Sequence, residues 1–236
     1  MKQTLKFGSL YLDNSPTNID AEYQAGQTIS FGSATPNKII SWVPVNGLLI
    51  ADQCLLTKIS WDDLDAQGLV FGREINIQGF RFKIRLLKVG TEEGVSNEWD
   101  AALDIVGENN TLWNWDAKYF WGQESTARYA SFRAYRGYDS ARFWNYDNAS
   151  TRYAFLGFRP VLEPLHAAPS ALRPGQKVLV IGYDGCVMGR LVEKTQYDLI
   201  LQLKPSGLVG KAAFTANLQD GSVVVDRSGI LSIATA

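Results

Sequence analysis

YRGYDSARFWNYDNASTRYAFLGFRP, residues 135–160, is the most distinctive stretch of this 236-residue chain, because aromatic and small polar side chains outnumber aliphatic ones in it. Tyrosine offers a large contact area at little entropic cost, while serine and asparagine offer adaptable hydrogen bonds, as in antibody combining sites. Few β-branched residues and no aliphatic periodicity accompany them. The composition therefore predicts an irregular, loop-rich surface that is held in place by aromatic anchors.

We expect a displayed segment, residues 128–154, to carry a ligand-binding site in which a few aromatic and arginine anchors dominate the binding energy. The candidate contacts are Tyr135, Tyr138, Asp139, Arg142, Phe143, Trp144, Asn145, Tyr146, Asp147, Asn148 and Tyr153. Trp144 lies in the middle of the segment and is the best single candidate, although a core position is an equally good interpretation of a tryptophan. Asp139 and Asp147 are expected to tune charge complementarity and the association rate.

The sequence before this segment predicts strands with inserted helices. Residues 80–86 alternate apolar and charged side chains, which is the pattern of a half-buried strand. Residues 60–63, Ser-Trp-Asp-Asp, have the form of a capping box at the start of a short helix. In residues 96–106, Ser96 or Asn97 can cap a second helix, whose apolar face begins at Trp99.

The sequence after this segment predicts a linker and a small β-domain. Four of the eight prolines lie between Pro160 and Pro174, and proline disfavours both helix and sheet interior. Residues 164–174 are therefore expected to be a linker. Residues 175–236 contain apolar runs that are broken at tight-turn dipeptides such as Asp184-Gly185, which predicts an antiparallel barrel or compact sandwich.

Four sequence motifs occur in a characteristic order along the chain. They are Asn97-Glu98-Trp99-Asp100-Ala101-Ala102, a tryptophan-rich stretch, Tyr135-Arg136-Gly137, and Gly157-Phe158-Arg159-Pro160. This order resembles the C-type-lectin fold in its formylglycine-generating (sulfatase-modifying-factor) branch. Within that branch the chain is most similar to the variable proteins of diversity-generating retroelements in phages and bacteria, in which a Tyr/Asn/Ser/Asp-rich segment also runs into GFRP.

The resemblance covers residues 60–163 and implies an α+β fold. It predicts a C-type-lectin-like domain with short helices at 60–163, preceded by a β-rich segment at 1–59 and followed by the small all-β, barrel-like domain. Tyr138 stands where the family usually has the second glycine of RGG, so the local turn is expected to differ. A physical role is also expected for the closing motif: Gly157 permits close backbone approach, and Arg159 binds carbonyl groups or a carboxylate such as Glu98.

Composition and residue counts exclude several function classes. A net charge of −1 and a pI near 5.9 argue against a strongly basic nucleic-acid binder. No run of about 18 apolar residues predicts a membrane span, and the N-terminal residues lack the apolar core of a secretory signal. The chain is therefore expected to be cytoplasmic or part of a phage particle. Cys54 and Cys186 are expected to be buried free thiols, and His166 is the only histidine.

The favoured interpretation is a non-catalytic binding protein without cofactor or metal, whose partner is a protein or a cell-surface glycan. The β-rich ends would serve attachment or homo-oligomerisation. A second interpretation is a structural phage or particle protein, and a third is an enzyme of the formylglycine-generating type, although the cysteine pair of catalytic relatives and a histidine-rich iron site are both absent. Single-stranded nucleic acid is a fourth, weakened by the acids that interrupt the arginines. Calcium is not expected, because it needs six to eight oxygen ligands.

Overall fold

The computed structural model of the protein describes residues 3–236. Strands take up 49% of the residues and helices 11%, so the fold is predominantly β with a few short helices. The α-helices are α1 (Trp61–Ala66), α2 (Glu98–Val106) and α3 (Asn110–Trp113), and single 3-10 turns lie at Pro169–Ala171 and Arg227–Gly229. None of the helices in the described residues is long and apolar enough to cross a membrane.

Residues 3–236 contain twenty strands, numbered here in chain order. They are β1 (Leu5–Leu12), β2 (Ser15–Pro16), β3 (Ala21–Glu22), β4 (Ile29–Gly32), β5 (Ile39–Val45), β6 (Leu48–Ala51), β7 (Leu56–Thr57), β8 (Arg73–Ile77), β9 (Phe80–Leu86) and β10 (Tyr119–Ser125). The second half comprises β11 (Phe132–Gly137), β12 (Ser140–Asn148), β13 (Leu156–Phe158), β14 (Pro160–Pro164), β15 (Lys177–Ile181), β16 (Gly185–Lys194), β17 (Asp198–Gly210), β18 (Thr215–Asn217), β19 (Ser222–Asp226) and β20 (Ser232–Thr235).

The first sheet has eight strands in the order β2-β1-β5-β6-β14-β9-β8, with β4 also paired to β1. The predicted alternation of β9 is confirmed, since Phe80, Phe82, Ile84 and Leu86 are all buried. Strands from residues 5–51 share this sheet with β8, β9 and β14, so hydrogen bonding runs across the predicted boundary at residue 59. The division into an N-terminal segment and a C-type-lectin-like domain stays a prediction.

The second sheet has six strands in the order β12-β11-β10-β13-β7-β3. The prediction of an irregular, loop-rich surface is wrong for much of the displayed segment, because residues 132–137 and 140–148 form a regular antiparallel hairpin. Tyrosine, phenylalanine and tryptophan have high β propensity, and aromatic pairs across neighbouring strands stabilise a sheet without aliphatic residues.

The third sheet is built from residues 177–235, and all its strand pairs are antiparallel, in the order β18-β19-β17-β16-β15-β20. Val178 and Val180 lie in the core of this sheet, whereas the alternate residues Leu179 and Ile181 belong to the core of the first sheet. Within the expected linker, Leu172 is buried in the third-sheet core. The third sheet therefore has apolar contacts on both of its faces.

Both predicted helix starts are confirmed. Ser60 and Asp63 form a reciprocal capping box at α1, and Asn97 caps α2 by accepting a hydrogen bond from the amide of Asp100. The indole of Trp99 on α2 packs edge-on against Trp113, with the ring centroids 4.8 Å apart. The core around α2 fills the space between the first and second sheets, so α2 fixes how these sheets lie relative to each other.

Candidate functional site

The hairpin of β11 and β12 carries much of the displayed segment. Tyr138 and Asp139 form its turn, and β12 is an edge strand that pairs only with β11 among the described strands. Gly137 has a φ of +104°, and a Cβ atom there would lie 2.3 Å from the carbonyl oxygen of Lys118. Only glycine fits at this position, so close packing against the residues before β10 fixes the turn.

Strand alternation divides the candidate residues between the two faces of the second sheet. Directly opposed residues of β11 and β12 share a face, and these pairs are Tyr135 with Asn145, Arg133 with Asp147, Arg136 with Trp144, and Ala134 with Tyr146. The latter two pairs lie on the face that packs against α2, since Arg136 binds Asp100 there. The former two lie on the opposite face, which we call the outward face. Its inner part is covered, because Tyr135 packs against Trp121 and Arg133 lies over the ring of Trp61.

Six aromatic side chains cluster on the outward face, and we call this surface the aromatic face: Tyr119, Tyr135, Tyr138, Phe143, Tyr153 and Phe155. The ring of Tyr119 lies at its centre. Its centroid is 4.7 Å from those of Tyr135 and Tyr138, and 6.0 Å from those of Phe143 and Phe155. These separations are those of favourable ring contacts, so the cluster is held together by its own side chains.

The aromatic face is buried at its base and open at its rim. Tyr135 is only 7% exposed, whereas Tyr153 is 44% and Phe155 is 38% exposed. The rings of Tyr153 and Phe155 stack with centroids 5.0 Å apart and planes 23° apart. The other three rings are half-buried. The exposed rings are thus supported from beneath and from the side before any ligand arrives.

Tyr138 occupies a backbone conformation that tyrosine rarely adopts, with a φ of +74°. Its amide donates to the carbonyl oxygens of Trp115 (2.9 Å) and Lys118 (3.0 Å), and its own carbonyl accepts from the amide of Ala117 (3.2 Å). The sequence predicted an altered turn at Tyr138, and the residue with the positive φ is Tyr138 itself. Three backbone hydrogen bonds hold a bulky side chain where glycine would be unstrained.

Sequence reasoning missed Tyr119 and Phe155, which the structure brings into the aromatic face. Tyr119 begins β10, well before the displayed segment, and it joins the cluster because Tyr119 of β10 is opposed to Gly137 of β11. Phe155 lies one residue beyond that segment. Its spacing of two residues from Tyr153 is the only sequence signal that could have identified it.

Three other candidates lie on the face toward α2 and have partners there. The guanidinium of Arg142 donates to Asp104 and Glu108, each at 2.6 Å, and hydrogen bonds from Glu108 and Asp104 raise its pKa. The indole nitrogen of Trp144 donates to the carbonyl oxygen of Gly90 at 3.1 Å. These contacts favour the core interpretation of Trp144.

Tyr146 also packs on this face, with ring centroids 5.5 Å from Phe132 and 5.6 Å from Trp144. The structure therefore does not bring Tyr146, Trp144 and Arg142 together with the aromatic face. Their role as ligand contacts stays a prediction, and one ligand on a single face cannot contact both groups.

The amide and carboxylate side chains of β12 make local hydrogen bonds. Asn145 accepts from the amide of Tyr146 at 2.8 Å, and Asp147 accepts from the amide of Asn148 at 2.7 Å. Asn148 in turn accepts from the amide and hydroxyl of Ser150. Unpaired amides on an edge strand invite pairing with another chain. Asn145 and Asp147 therefore protect this edge in addition to any role toward a ligand.

Cationic groups near the aromatic face are already engaged. Lys118 forms an ion pair with Asp20 at 2.9 Å, and Arg152 donates twice to Asp63, each at 2.8 Å. The guanidinium of Arg133 lies 4.2 Å from the ring centroid of Trp61.

Asp139 and Asp147, by contrast, form no ion pair within residues 3–236. Their charges affect the pKa values of the two central tyrosines. Burial and then Asp139 raise the pKa of Tyr119, while burial and then Asp147 raise that of Tyr135. Arg133 lies opposite Asp147 without forming an ion pair, and its guanidinium is held over the ring of Trp61. The two carboxylates therefore outnumber the one unpaired cation of this face.

The closing motif Gly157-Phe158-Arg159-Pro160 joins the second sheet to the first, because β13 ends at Phe158 and β14 begins at Pro160. Arg159 lies fully buried between these two strands and donates to the carbonyl oxygens of Trp113 (2.6 Å) and Asn114 (3.2 Å). Binding to carbonyl groups is as expected. The alternative partner, Glu98, is wrong: its carboxylate binds both terminal nitrogens of Arg85, at 2.8 and 2.7 Å.

Both cysteines are buried free thiols, as predicted. Burial raises the pKa of Cys54 to about 11, against the weaker opposing effect of Arg159, and burial also raises that of Cys186. Near Arg159, burial raises the pKa of Asp52 to about 6 although Arg159 and Lys6 oppose it. Both thiols are thus protonated at neutral pH, and a protonated thiol is a poor nucleophile.

In the part of the chain that the structure describes, no three His, Cys, Asp or Glu side chains are grouped so that they could hold a metal ion. Comparisons of this chain with models of known protein families, with curated proteins and with solved structures find no match.

Proposed function

We propose that this protein is a non-catalytic binding module that presents the aromatic face to a protein or a cell-surface glycan. One observation carries the proposal: the rings of Tyr138, Tyr153 and Phe155 are accessible at the rim of a preassembled cluster around Tyr119. A contiguous exposed apolar patch with polar residues at its rim is typical of interaction sites. Aromatic anchors dominate binding energy at such sites.

The order of the sequence motifs supports a C-type-lectin-like scaffold for this face, and with it a phage- or retroelement-associated variable protein. On that scaffold the displayed segment, residues 128–154, supplies four of the six rings of the aromatic face. The raised pKa of the buried Cys54 supports a role without thiol chemistry. The first and third sheets would serve attachment or homo-oligomerisation.

A glycan array and a panel of cell-surface proteins test this proposal with three forms of the chain. The first is the wild type and the second is the double variant Tyr138→Gly/Tyr153→Ser, which removes two rings from the aromatic face. The third is Tyr146→Ser, which removes one ring from the opposite face. We expect the double variant to lose at least tenfold in affinity, about 1.4 kcal/mol, and Tyr146→Ser to bind like the wild type while it remains folded by circular dichroism.

Retention of binding by the double variant would contradict the proposal, because the ligand would then lie elsewhere. Finding no ligand whose binding depends on these two tyrosines would favour the structural-protein interpretation.

A further inference from the structure

Around the aromatic face, Asp139, Asp147 and Arg133 form no ion pair in residues 3–236, so the net unpaired charge there is negative. Lys118 and Arg152 are neutralised by Asp20 and Asp63. Asp139 is exposed in the turn beside Tyr138 and has no such partner in residues 3–236. An anionic ligand would therefore be repelled at this surface, while a cationic ligand would be attracted.

The second carboxylate lies on another side of the ring cluster. Asp147 shares the outward face with Asn145 on β12 and is half-buried there, where the Thr151 hydroxyl donates to it at 3.0 Å. Asp147 acts on the buried phenol of Tyr135, while Asp139 acts on the central Tyr119. The two acids thus act on two adjoining rings. Because Tyr135 is only 7% exposed, a ligand group would lie over the accessible rings beside it and not over Tyr135 itself.

Aromatic rings attract cations through the negative potential above their faces. The same chain already uses this interaction with its own arginines, since the guanidinium of Arg133 lies 4.2 Å from the ring centroid of Trp61 and that of Arg128 lies 5.2 Å from Tyr129. On the aromatic face the rings have no such partner among the described cation–ring contacts. The rings and the carboxylates of the aromatic face therefore both favour a cationic ligand group.

We infer that the aromatic face binds a protein partner through an exposed arginine or lysine side chain, which stacks over the rings around Tyr119 with Asp139 and Asp147 as counter-charges. This inference rests on the proposed function and names the chemistry of its partner. Arginine suits the site better than lysine, because its planar guanidinium stacks on aromatic rings and forms forked hydrogen bonds with carboxylates.

The experiment titrates the full-length protein with three capped peptides, Ac-GRGRG-NH2, Ac-GKGKG-NH2 and Ac-GEGEG-NH2, and follows the ring resonances of the tyrosines by NMR. We expect the arginine peptide to bind most tightly, the lysine peptide more weakly and the glutamate peptide not at all. Raising the salt from 50 to 300 mM should weaken binding several-fold, because exposed charges are screened. The double variant Asp139→Asn/Asp147→Asn should bind the arginine peptide about five- to tenfold more weakly.

Glu92→Gln/Glu93→Gln is the matched control, because it removes two exposed carboxylates from the loop before α2 and should leave the affinity within twofold. The inference is overturned if the arginine peptide does not bind, if the glutamate peptide binds equally well, or if the two double variants behave alike. It is also overturned if a neutral glycan binds through Tyr138 and Tyr153 without salt dependence. That last result would leave the proposed function standing.

Discussion

The ring of Tyr138 stacks on the ring of Tyr119, with centroids 4.7 Å apart and planes inclined by 21°. Tyr138 reaches this position only because its backbone adopts a φ of +74°. Strained backbone of this kind persists where the surrounding structure holds it, and it concentrates at functional sites. The stacked pair is therefore a preformed part of the aromatic face. Interactions elsewhere in the fold offset the conformational strain at Tyr138.

The strain at Tyr138 can be measured with two substitutions that both remove the ring. Tyr138→Gly relieves the positive φ, whereas Tyr138→Ala keeps a Cβ atom in it. We expect the glycine variant to be more stable than the alanine variant by about 1–2 kcal/mol. Urea unfolding of both variants checks this, and equal stabilities would show that the backbone at residue 138 relaxes.

Core and rim aromatic residues should differ sharply in their contribution to stability. Phe158 is fully buried in β13, and we expect Phe158→Ala to destabilise the protein by about 3–5 kcal/mol. Tyr153 is 44% exposed, and Tyr153→Ala should cost about 0.5 kcal/mol or less. Chemical unfolding measures both values, and the reverse ranking would remove Tyr153 from the exposed rim.

The ion pair of Arg85 and Glu98 should matter more than an exposed pair. Arg85 is 5% exposed, and Glu98→Gln leaves its charge in the interior without its bidentate partner. We expect a loss of about 2–4 kcal/mol. Glu74→Gln, which breaks an exposed pair with Arg81, should cost less than about 1 kcal/mol. The Nε atom of Arg85 also donates to Glu163 at 2.8 Å, so similar losses in the two variants would show that Glu163 alone suffices to stabilise its charge.

Asp52 should make the stability depend on pH in a defined direction. Its pKa is about 6 in the folded protein and 3.8 in the reference state, so between these values the folded state binds more protons than the unfolded state. The contribution of Asp52 to the free energy of unfolding therefore falls as the pH rises from about 4 to about 6, and then levels off.

Asp52→Asn removes this dependence. The difference in the free energy of unfolding between the variant and the wild type should shift in favour of the variant by about 1–3 kcal/mol between pH 4 and pH 7.5. The measurement is chemical unfolding of both proteins across this pH range. A stability difference that stays constant with pH would show that Asp52 is ionised normally in the folded state.

The third sheet should unfold together with the rest of the protein. Leu179 and Ile181 pack into the core of the first sheet, and Ser232 donates to the carbonyl oxygen of Gly47 at 2.5 Å. All seven tryptophans lie between Trp42 and Trp144, so their fluorescence reports only on the first two sheets. We expect fluorescence and far-UV circular dichroism to give coincident urea transitions, whereas separate transitions would show an independently stable third sheet.

The sequence alone determined those features that depend on neighbouring residues. The alternation of residues 80–86, the capping box at Ser60 and the helix that begins after Asn97 follow from local periodicity and backbone capping, and all three are confirmed. The turns of the third sheet are also local, because dipeptides such as Asp184-Gly185 mark them directly. The unusual composition of residues 135–160 identified a special segment, although it did not show that a regular hairpin forms there.

Only the tertiary structure decided which side chains of that segment share a face. Tyr119 enters the aromatic face through pairing between strands, and Tyr146 leaves it because alternate residues of a strand point to opposite sides. The sequence likewise allowed several hydrogen-bond partners for Arg159. In the structure, the passage of the chain from the second sheet to the first places the carbonyl groups of Trp113 and Asn114 beside it. Such choices depend on strand register and on contacts between residues far apart in the chain, which local patterns do not specify.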